Sequence, residues 1–295
     1  MIKVRENVYF NESKNFLVGS DKIELIRETS SGNGISRICL HESLSDSIHQ
    51  MLICIQPYFY MLPINQRNKG FVSYCILEGS MNVVFFDSAL FVEKVITLDK
   101  KNPIIRFPSE QIRLNVADKE TIFYEISEGP FKDGDTVYYD EKHISIEVVN
   151  ARLKSLGFTA RKLESSDYEL IYSNHVESMR DHIERIYGWE DEKQKEIFKS
   201  RFEINNQFVV FDSDVLVARI VIERKKDGFF LDVIEISKNY RGRGFGIRLI
   251  EAFSGGESIS LQVYKKSPAI NFYLRNGFKA SGESNNHIFL YRKRS

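Results

Sequence analysis

The sequence predicts an α+β chain in two parts, a β-barrel or sandwich followed by a mixed α/β domain. Residues 35–130 are a succession of short β-branched and aromatic runs. From residue 158 onward, helix-spaced segments alternate with strands. Between them lies a stretch rich in glycine, proline and charge. The chain has 295 residues, 42% of them hydrophobic and 28% charged, which gives length for two domains and apolar content for packed cores.

In the first part, "RICLHES", "MLICIQPYFYML", "FVSYCILEG", "MNVVFFD", "ALFVEKVITL" and "ETIFYEI" read as strands. Turn signals such as Glu78-Gly79, Asp87-Ser88 and Asp99-Lys100 separate them, the rhythm of a sandwich or barrel. "EGPFKDGDTVYYDEK" reads as loop and places the boundary near residues 132–155. The expected organisation is a β domain over 1–135, a linker over 136–157 and an α/β domain over 158–295.

In the second part, Ser166 is placed to cap a helix, with Glu169 completing a capping box. Tyr168, Ile171, Tyr172, Met179, Ile183 and Ile186 then follow at helical spacing. "DEKQKEIFKSRF" reads as a second helix. "QFVVFD", "VLVARIVIER" and "FFLDVIEIS" are strands, followed by "YRGRGFG" and a short helix over about 247–253. "SISLQVY" is a strand. "SPAINFYLRNGF" is a helix with Ser267 at the N-cap, Pro268 in the first turn and Gly277 at the C-terminal cap. "FKAS" and "HIFLYRK" close the chain as strands.

Lys plus Arg equals Asp plus Glu, 41 each. A general nucleic-acid binder carries a basic surplus, so this balance points to a small ligand. Cys39, Cys54 and Cys75 are scattered through apolar runs and read as buried free thiols of a reducing compartment. No apolar run approaches ~20 residues, so no membrane span is expected, and the expected location is the cytoplasm.

Two arginines and three glycines in "YRGRGFG" call for an anion. No lysine follows in the way a Walker loop requires, and Gly242, Gly244 and Gly246 have the wrong spacing for a dinucleotide fingerprint. "RGFG" starts like an RNA-recognition signature, but Ile247 and Ile250 stand where stacking aromatics belong. What remains is a strand running through glycines into a helix start. That is either a tight turn that binds nothing or a cradle of main-chain amides, aided by the helix dipole, for a pyrophosphate.

Arg241-x-x-Gly244-x-Gly246 resembles the acyl-CoA signature of the GNAT acyltransferase superfamily. "SPAINFYLRNGF" resembles that superfamily's next block, and the resemblance covers residues 158–295. It departs from the pattern at Ser267, where an asparagine is common, and in the shortness of the helix after the loop. It implies acyl-CoA held by Arg241, Gly242, Arg243, Gly244, Phe245, Gly246 and Ser267. The main chain at Ile234 and Ile236 would hold the pantetheine between strands that splay apart, and an amide there would stabilise an oxyanion. Tyr273 matches the general acid that protonates the leaving thiolate. Asp232 and Glu235 are candidate bases on opposite faces of a regular strand, with Glu235 preferred and His287 the other choice. Arg185, Tyr187, Trp189 and His287 are the candidate acceptor contacts.

"MLPINQRNKGFVSYCILEGSMNVVFFD" with "IIRFPSEQIRLNV…TIFYEISEGPF" resembles a cupin, especially small cupins associated with bacterial surface-polysaccharide genes. Such proteins bind metal through a His-x-His pair, an acid and a later histidine. Here Ile64-Asn65-Gln66 occupies the pair, no acid lies between Arg67 and Ile76, and Arg113 falls near the later histidine. A metal-free, cupin-like domain is expected. His41 and His49 read as structural.

A cupin-like domain joined to a GNAT domain resembles sugar N-acyltransferases of O-antigen and capsule assembly. That resemblance implies an amino-sugar nucleotide acceptor, such as a dTDP-3-amino-3,6-dideoxyhexose, and acetyl-CoA or 3-hydroxybutanoyl-CoA as donor. The alternatives are a GNAT enzyme acting on a protein, polyamine or aminoglycoside amine, and a CoA- or sugar-sensing protein without turnover. No nucleic-acid or membrane partner is expected, and the oligomeric state is open, a dimer included.

Overall fold

The computed structural model describes residues 2–5, 7–10, 15–57, 59–66, 70–132, 134–139, 144–202 and 206–293. Its contacts divide the chain into two units, Met1–Ser155 and Leu156–Ser295.

The first unit runs β1 (Ile2–Arg5), β2 (Val8–Phe10), α1 (Ser20–Asn33), β3 (Ile35–Cys39), β4 (Ile48–Ile55), β5 (Ile64–Gln66) and β6 (Phe71–Glu78). It continues through β7 (Met81–Phe86), β8 (Val92–Leu98), β9 (Ile104–Pro108), β10 (Ile112–Ala117), β11 (Thr121–Glu128), β12 (Thr136–Tyr138) and α2 (Ile146–Leu153). One sheet has the order β1-β2-β3-β4-β11-β6-β9 and the other β12-β5-β10-β7-β8. Ile53, Val72, Tyr74 and Phe123 of the first meet Val83, Phe85 and Leu98 of the second in one core. The two sheets are therefore the inner layers of a sandwich.

Helices cover the outer faces. Ile26 of α1 packs with Ile38, Leu52, Cys54 and Ile122 on one sheet. Val148 and Ala151 of α2 pack with Val84, Phe86, Leu114 and Val116 on the other. This explains why every residue of β7 and β10 is buried: neither side of these strands faces water.

Two helices depart from the sequence expectation. Residues 136–157, read as linker, hold β12 and α2. Ser145 caps α2 by accepting from the Val148 N–H, and the apolar face of that short helix is specified by the sheet it covers. α1 is polar in composition, with only Ile26 and Ser30 buried along it. Its local signal is weak, and the sheet beneath supplies the partner surface. Cys39 and Cys54 are buried free thiols and Cys75 is half-buried. His41 and His49 stack at 4.1 Å, their rings bonded to the carbonyls of Gln50 and Leu44.

The second unit runs β13 (Phe158–Lys162), α3 (Tyr168–Tyr187), α4 (Asp191–Phe202), β14 (Gln207–Asp212), β15 (Val215–Lys225) and β16 (Gly228–Ile236). α5 (Phe245–Ser254), β17 (Ile259–Tyr264), α6 (Ala269–Arg275), β18 (Lys279–Glu283) and β19 (His287–Arg292) follow. The sheet order is β13-β14-β15-β16-β17-β19-β18. All neighbours are antiparallel except β16 and β17. A parallel pair needs a crossover, and α5 supplies it. α3 and α4 pack on one face through Ile171, Phe198, Val209 and Leu216. α5 packs on the other, where Phe253 meets Phe208.

Two capping expectations shift by a few residues. The box at the start of α3 is formed by Glu164 and Asp167, and not by Ser166 and Glu169. Arg161 grips the Asp167 carboxylate with two hydrogen bonds at 2.6 Å and decides which acid is used. α6 begins at Ala269, with Ser267 Oγ accepting the Ala269 N–H at 3.2 Å.

Candidate active site

β16 and β17 pair only at Phe229–Ile259, Phe230–Ser260 and Leu231–Leu261. Immediately afterwards the register of β16 against β15 slips, so that Asp232 is the extra residue of a bulge. A bulge bends its strand, and beyond it no described strand pairs with β16 on the β17 side. Main-chain groups alternate in direction along a strand. The Ser237 N–H points to β15, donating to Val217 O at 2.9 Å. Glu235 and Val233 share that direction, so Ile234 and Ile236 turn their amides into the gap.

The loop after β16 ends at the N-terminus of α5. Gly242 has φ 72° and Gly244 φ 77°, a region that costs other residues about 1–2 kcal/mol. A Cβ on either would meet nothing within 4 Å. These glycines serve backbone conformation, and the space beside them is open. Gly246 differs: a Cβ there would lie 3.0 Å from Phe272 and 3.2 Å from Ile236, so it permits close packing. Among the described residues no side chain caps α5 at Gly244, and the first amides of a helix have no partner within the helix and favour an anion. Tyr240 secures the loop, donating to Asp212 Oδ2 at 3.1 Å.

Arg241 folds back on the protein. Its Nε donates to Ile236 O at 2.7 Å and its Nη2 to Ser178 Oγ of α3 at 2.7 Å. Arg243 lies over the Phe245 ring at 5.0 Å and the Tyr240 ring at 5.8 Å.

Tyr273 is buried on α6, edge-on to Phe278 at 5.4 Å. Burial pushes its phenol up to about 12. A thiol near 8.5 is the stronger acid by about 3.5 units, or about 5 kcal/mol. Proton transfer to a thiolate therefore demands more from the surroundings than an unperturbed phenol near 10 would. Its proton is secure at neutral pH.

The bulge brings Asp232 to the surface, while Glu235 turns inward beneath α3 and is 5% exposed. His175 Nδ1 donates to Glu235 Oε1 at 2.5 Å, and Arg219 Nη1 donates to Oε2 at 3.2 Å. Gln207 Oε1 accepts from Arg219 Nε and Nη2 at 2.9 and 2.8 Å. Burial alone would raise the Glu235 carboxyl, but the hydrogen bond and charge of His175, with those of Arg219, hold it below the usual range. Glu235, the preferred candidate base from sequence, is thus a buried carboxylate with each oxygen accepting one hydrogen bond.

His287 is half-buried against Tyr264, ring centroids 4.3 Å apart, where β19 meets the end of β17. Trp189 Nε1 donates to Asp191 Oδ1 at 2.7 Å, and Arg180 covers its ring at 5.6 Å. Arg185 and Tyr187 sit on the last turn of α3, their side chains outside the described ones. His175 was missed because its partner is distant in sequence. Its only local sign is a place on the inward face of α3 with Ile171, Asn174 and Ser178.

Among the described residues, no group of three or more His, Cys, Asp or Glu is placed to hold a metal. No described helix is long and apolar enough to cross a membrane.

Residues 204–280 match the model of the acetyltransferase (GNAT) domain. Comparison with curated proteins gives no match. Among solved structures, a Pyrococcus horikoshii protein is similar at 19% identity and TM-score 0.39, over 47% of this chain and 99% of that one. PaiA N-acetyltransferase of Thermoplasma acidophilum, in complex with coenzyme A, is similar at 16% identity and TM-score 0.36, over 46% and 98%. Salicylate 1,2-dioxygenase of Pseudoaminobacter salicylatoxidans is similar at 15% identity and TM-score 0.28, over 33% of this chain and 26% of that one. The family match carries the conclusion. The second unit contains a GNAT acetyltransferase domain, and the class of enzyme is an acyl-CoA-dependent N-acetyltransferase.

Proposed function

We propose that the protein transfers an acyl group from acetyl-CoA or 3-hydroxybutanoyl-CoA to the amine of a nucleotide-linked amino sugar, of the dTDP-3-amino-3,6-dideoxyhexose kind. The observation that carries acyl-CoA use is the parting of β16 from β17 after three paired residues, beside an uncapped helix N-terminus reached through two left-handed glycines. The amides of Ile234 and Ile236 would hold the pantetheine arm. Those of Gly242, Gly244, Phe245 and Gly246 would hold the pyrophosphate, with Arg243 beside them and Ser267 at the far wall. Arg241 would keep the loop tied to α3 while this happens.

Bound there, the donor supplies an activated thioester. Tyr273 then delivers a proton to the departing sulfur. The acceptor assignment is supported by the cupin-like resemblance of the first unit, in which Ile64 and Gln66 stand where the His-x-His pair would be and Arg113 falls near the later histidine. It is also supported by Arg180 and Trp189, a cation and an aromatic face suited to a nucleotide. Arg185, Tyr187 and His287 complete the proposed acceptor contacts.

The test is thiol release from either CoA thioester in the presence of a panel of dTDP-amino sugars, polyamines, aminoglycosides and peptides, read with product mass. A mass gain on a sugar nucleotide is expected. Turnover confined to a peptide, polyamine or aminoglycoside would overturn the acceptor. Calorimetric silence with coenzyme A and no thiol release would overturn the whole reading.

A further inference from the structure

We propose that His175 is the base that takes the proton of the acceptor amine and that Glu235 is its positioning residue; this rests on the acyl-transfer reading above.

The Glu235 carboxylate is buried, with one oxygen on Arg219 and the other on His175. Each oxygen accepts one of these bonds, and the carboxylate is only 5% exposed. Arg219 is itself fixed by Gln207. The chain of contacts therefore runs from β14 through β15 and β16 to the half-buried imidazole on α3. A carboxylate on one ring nitrogen sets the tautomer: Nδ1 carries the hydrogen, and Nε2 keeps the lone pair. The ring is further fixed by Phe198, 5.0 Å away and tilted by 36°.

Placement supports the same role. Glu235 lies between Ile234 and Ile236, whose amides line the gap beside β17. α3 is joined to this stretch by three polar contacts in a row. His175 donates to Glu235, Asn174 Oδ1 accepts from Ser237 Oγ at 2.8 Å, and Ser178 accepts from Arg241. Burying an Arg–Glu pair brings desolvation costs that packing alone does not require. A half-buried histidine at its open end gives the arrangement a use. The charged groups that face His175 among the described residues are Glu235 and, behind it, Arg219.

The step balances simply. The amine lone pair forms the bond to the acyl carbon, and the amine proton passes to Nε2 of His175. The carbon–sulfur bond breaks, and the sulfur takes the proton of Tyr273. The imidazolium then loses its proton to water, and the Tyr273 phenolate regains one from water, which returns both groups to their starting states.

The test compares two acceptors in the full-length protein. One is the amine returned by the acceptor screen. The other is hydroxylamine, which is weakly basic and already neutral at pH 7. His175→Gln should lower kcat by about 10²-fold with the first and by no more than about threefold with hydroxylamine. The acid limb of the pH–rate profile should disappear with it, while the melting temperature and the heat of coenzyme A binding stay as in the wild type. Free imidazole should restore part of the rate to His175→Ala. Nitrogen NMR of the wild type, which needs no acceptor, should show hydrogen on Nδ1. Equal losses with both amines, an unchanged pH profile, or hydrogen on Nε2 would overturn the base assignment alone. A wild type that neither binds coenzyme A nor releases thiol would instead overturn the acyl-transfer reading.

Discussion

Glu125 in the sandwich and Glu235 in the second unit are buried alike, at 7% and 5% exposure, and yet are pushed in opposite directions. For Glu125, burial outweighs the pull of Arg113 and Arg37, and the carboxyl rises. For Glu235, burial is overcome by His175 and Arg219, and the carboxyl falls. Arg113 spends its guanidinium elsewhere, donating from Nε to the Tyr74 hydroxyl at 3.0 Å. Arg219 aims one nitrogen at the acid. Depth therefore does not set the charge state; the direction of the nearest donors does.

The buried phenols of the two units differ in the same way. Tyr74 accepts from both Arg113 and Asn115, and is locked into a structural network. Tyr273 is packed among aromatic rings on the helix that follows β17. The sandwich interior also keeps Asn115 Oδ1 and Ser127 Oγ buried without a hydrogen-bond partner among the described residues, a burden that the His175–Glu235–Arg219 chain does not carry.

The most severe way to break the comparison is Glu235→Gln. Removing one charge strands Arg219, and unfolding free energy at neutral pH should drop by about 3–5 kcal/mol in denaturant titration. The folded carboxyl lies below its unfolded value. Its contribution is therefore present above the unfolded pKa and is lost as pH falls through the folded one. The gap between wild type and variant should close in acid; a gap that persists there would show that the carboxylate is not its source.

Tyr273→Phe comes next. A loss of about 10²-fold in kcat is expected, with coenzyme A affinity retained. An unchanged rate would reduce Tyr273 to a packing residue like its neighbour Phe272.

Gly244→Ala is milder. The added Cβ meets open space, so only the positive φ resists it, at about 1–2 kcal/mol. Coenzyme A binding should weaken by about tenfold, and calorimetry would show it. Equal affinity would mean that the loop amides are not the seat.

Glu125→Gln should have the smallest effect and the opposite sign. The folded carboxyl is raised, so its contribution is complete below the unfolded pKa and declines as pH rises through the folded one. The variant should match wild type in acid and be more stable at neutral pH by about 1 kcal/mol. Destabilisation as large as that of Glu235→Gln would erase the contrast.

Much of this molecule is written locally. Short β-branched and aromatic runs mark β6, β7, β8, β11 and β14 to β19, but they do not pick out β1, β2, β5, β9, β10, β12 or β13. "YRGRGFG" announces a strand-to-helix turn, because glycine alone enters the left-handed region freely. Ser267 and Gly277 bracket α6 for similar local reasons. Other features needed the folded chain. α1 is too polar to declare itself and exists through the sheet that Ile26 covers. α2 rests on Val84 and Leu114, far away in sequence. The bulge at Asp232 and the short pairing of β16 with β17 depend on register between strands, which no single segment encodes. His175 and Glu235 meet across sixty residues, a contact that no reading of the segment around Glu235 contains. Sequence alone located β6, β7, β8, β11, β14 to β19 and the glycine turn, since those follow from local apolar runs and backbone sterics. Only the tertiary structure decided which buried charges touch, because a carboxylate's partner is whatever side chain the packing of distant elements places within hydrogen-bond reach.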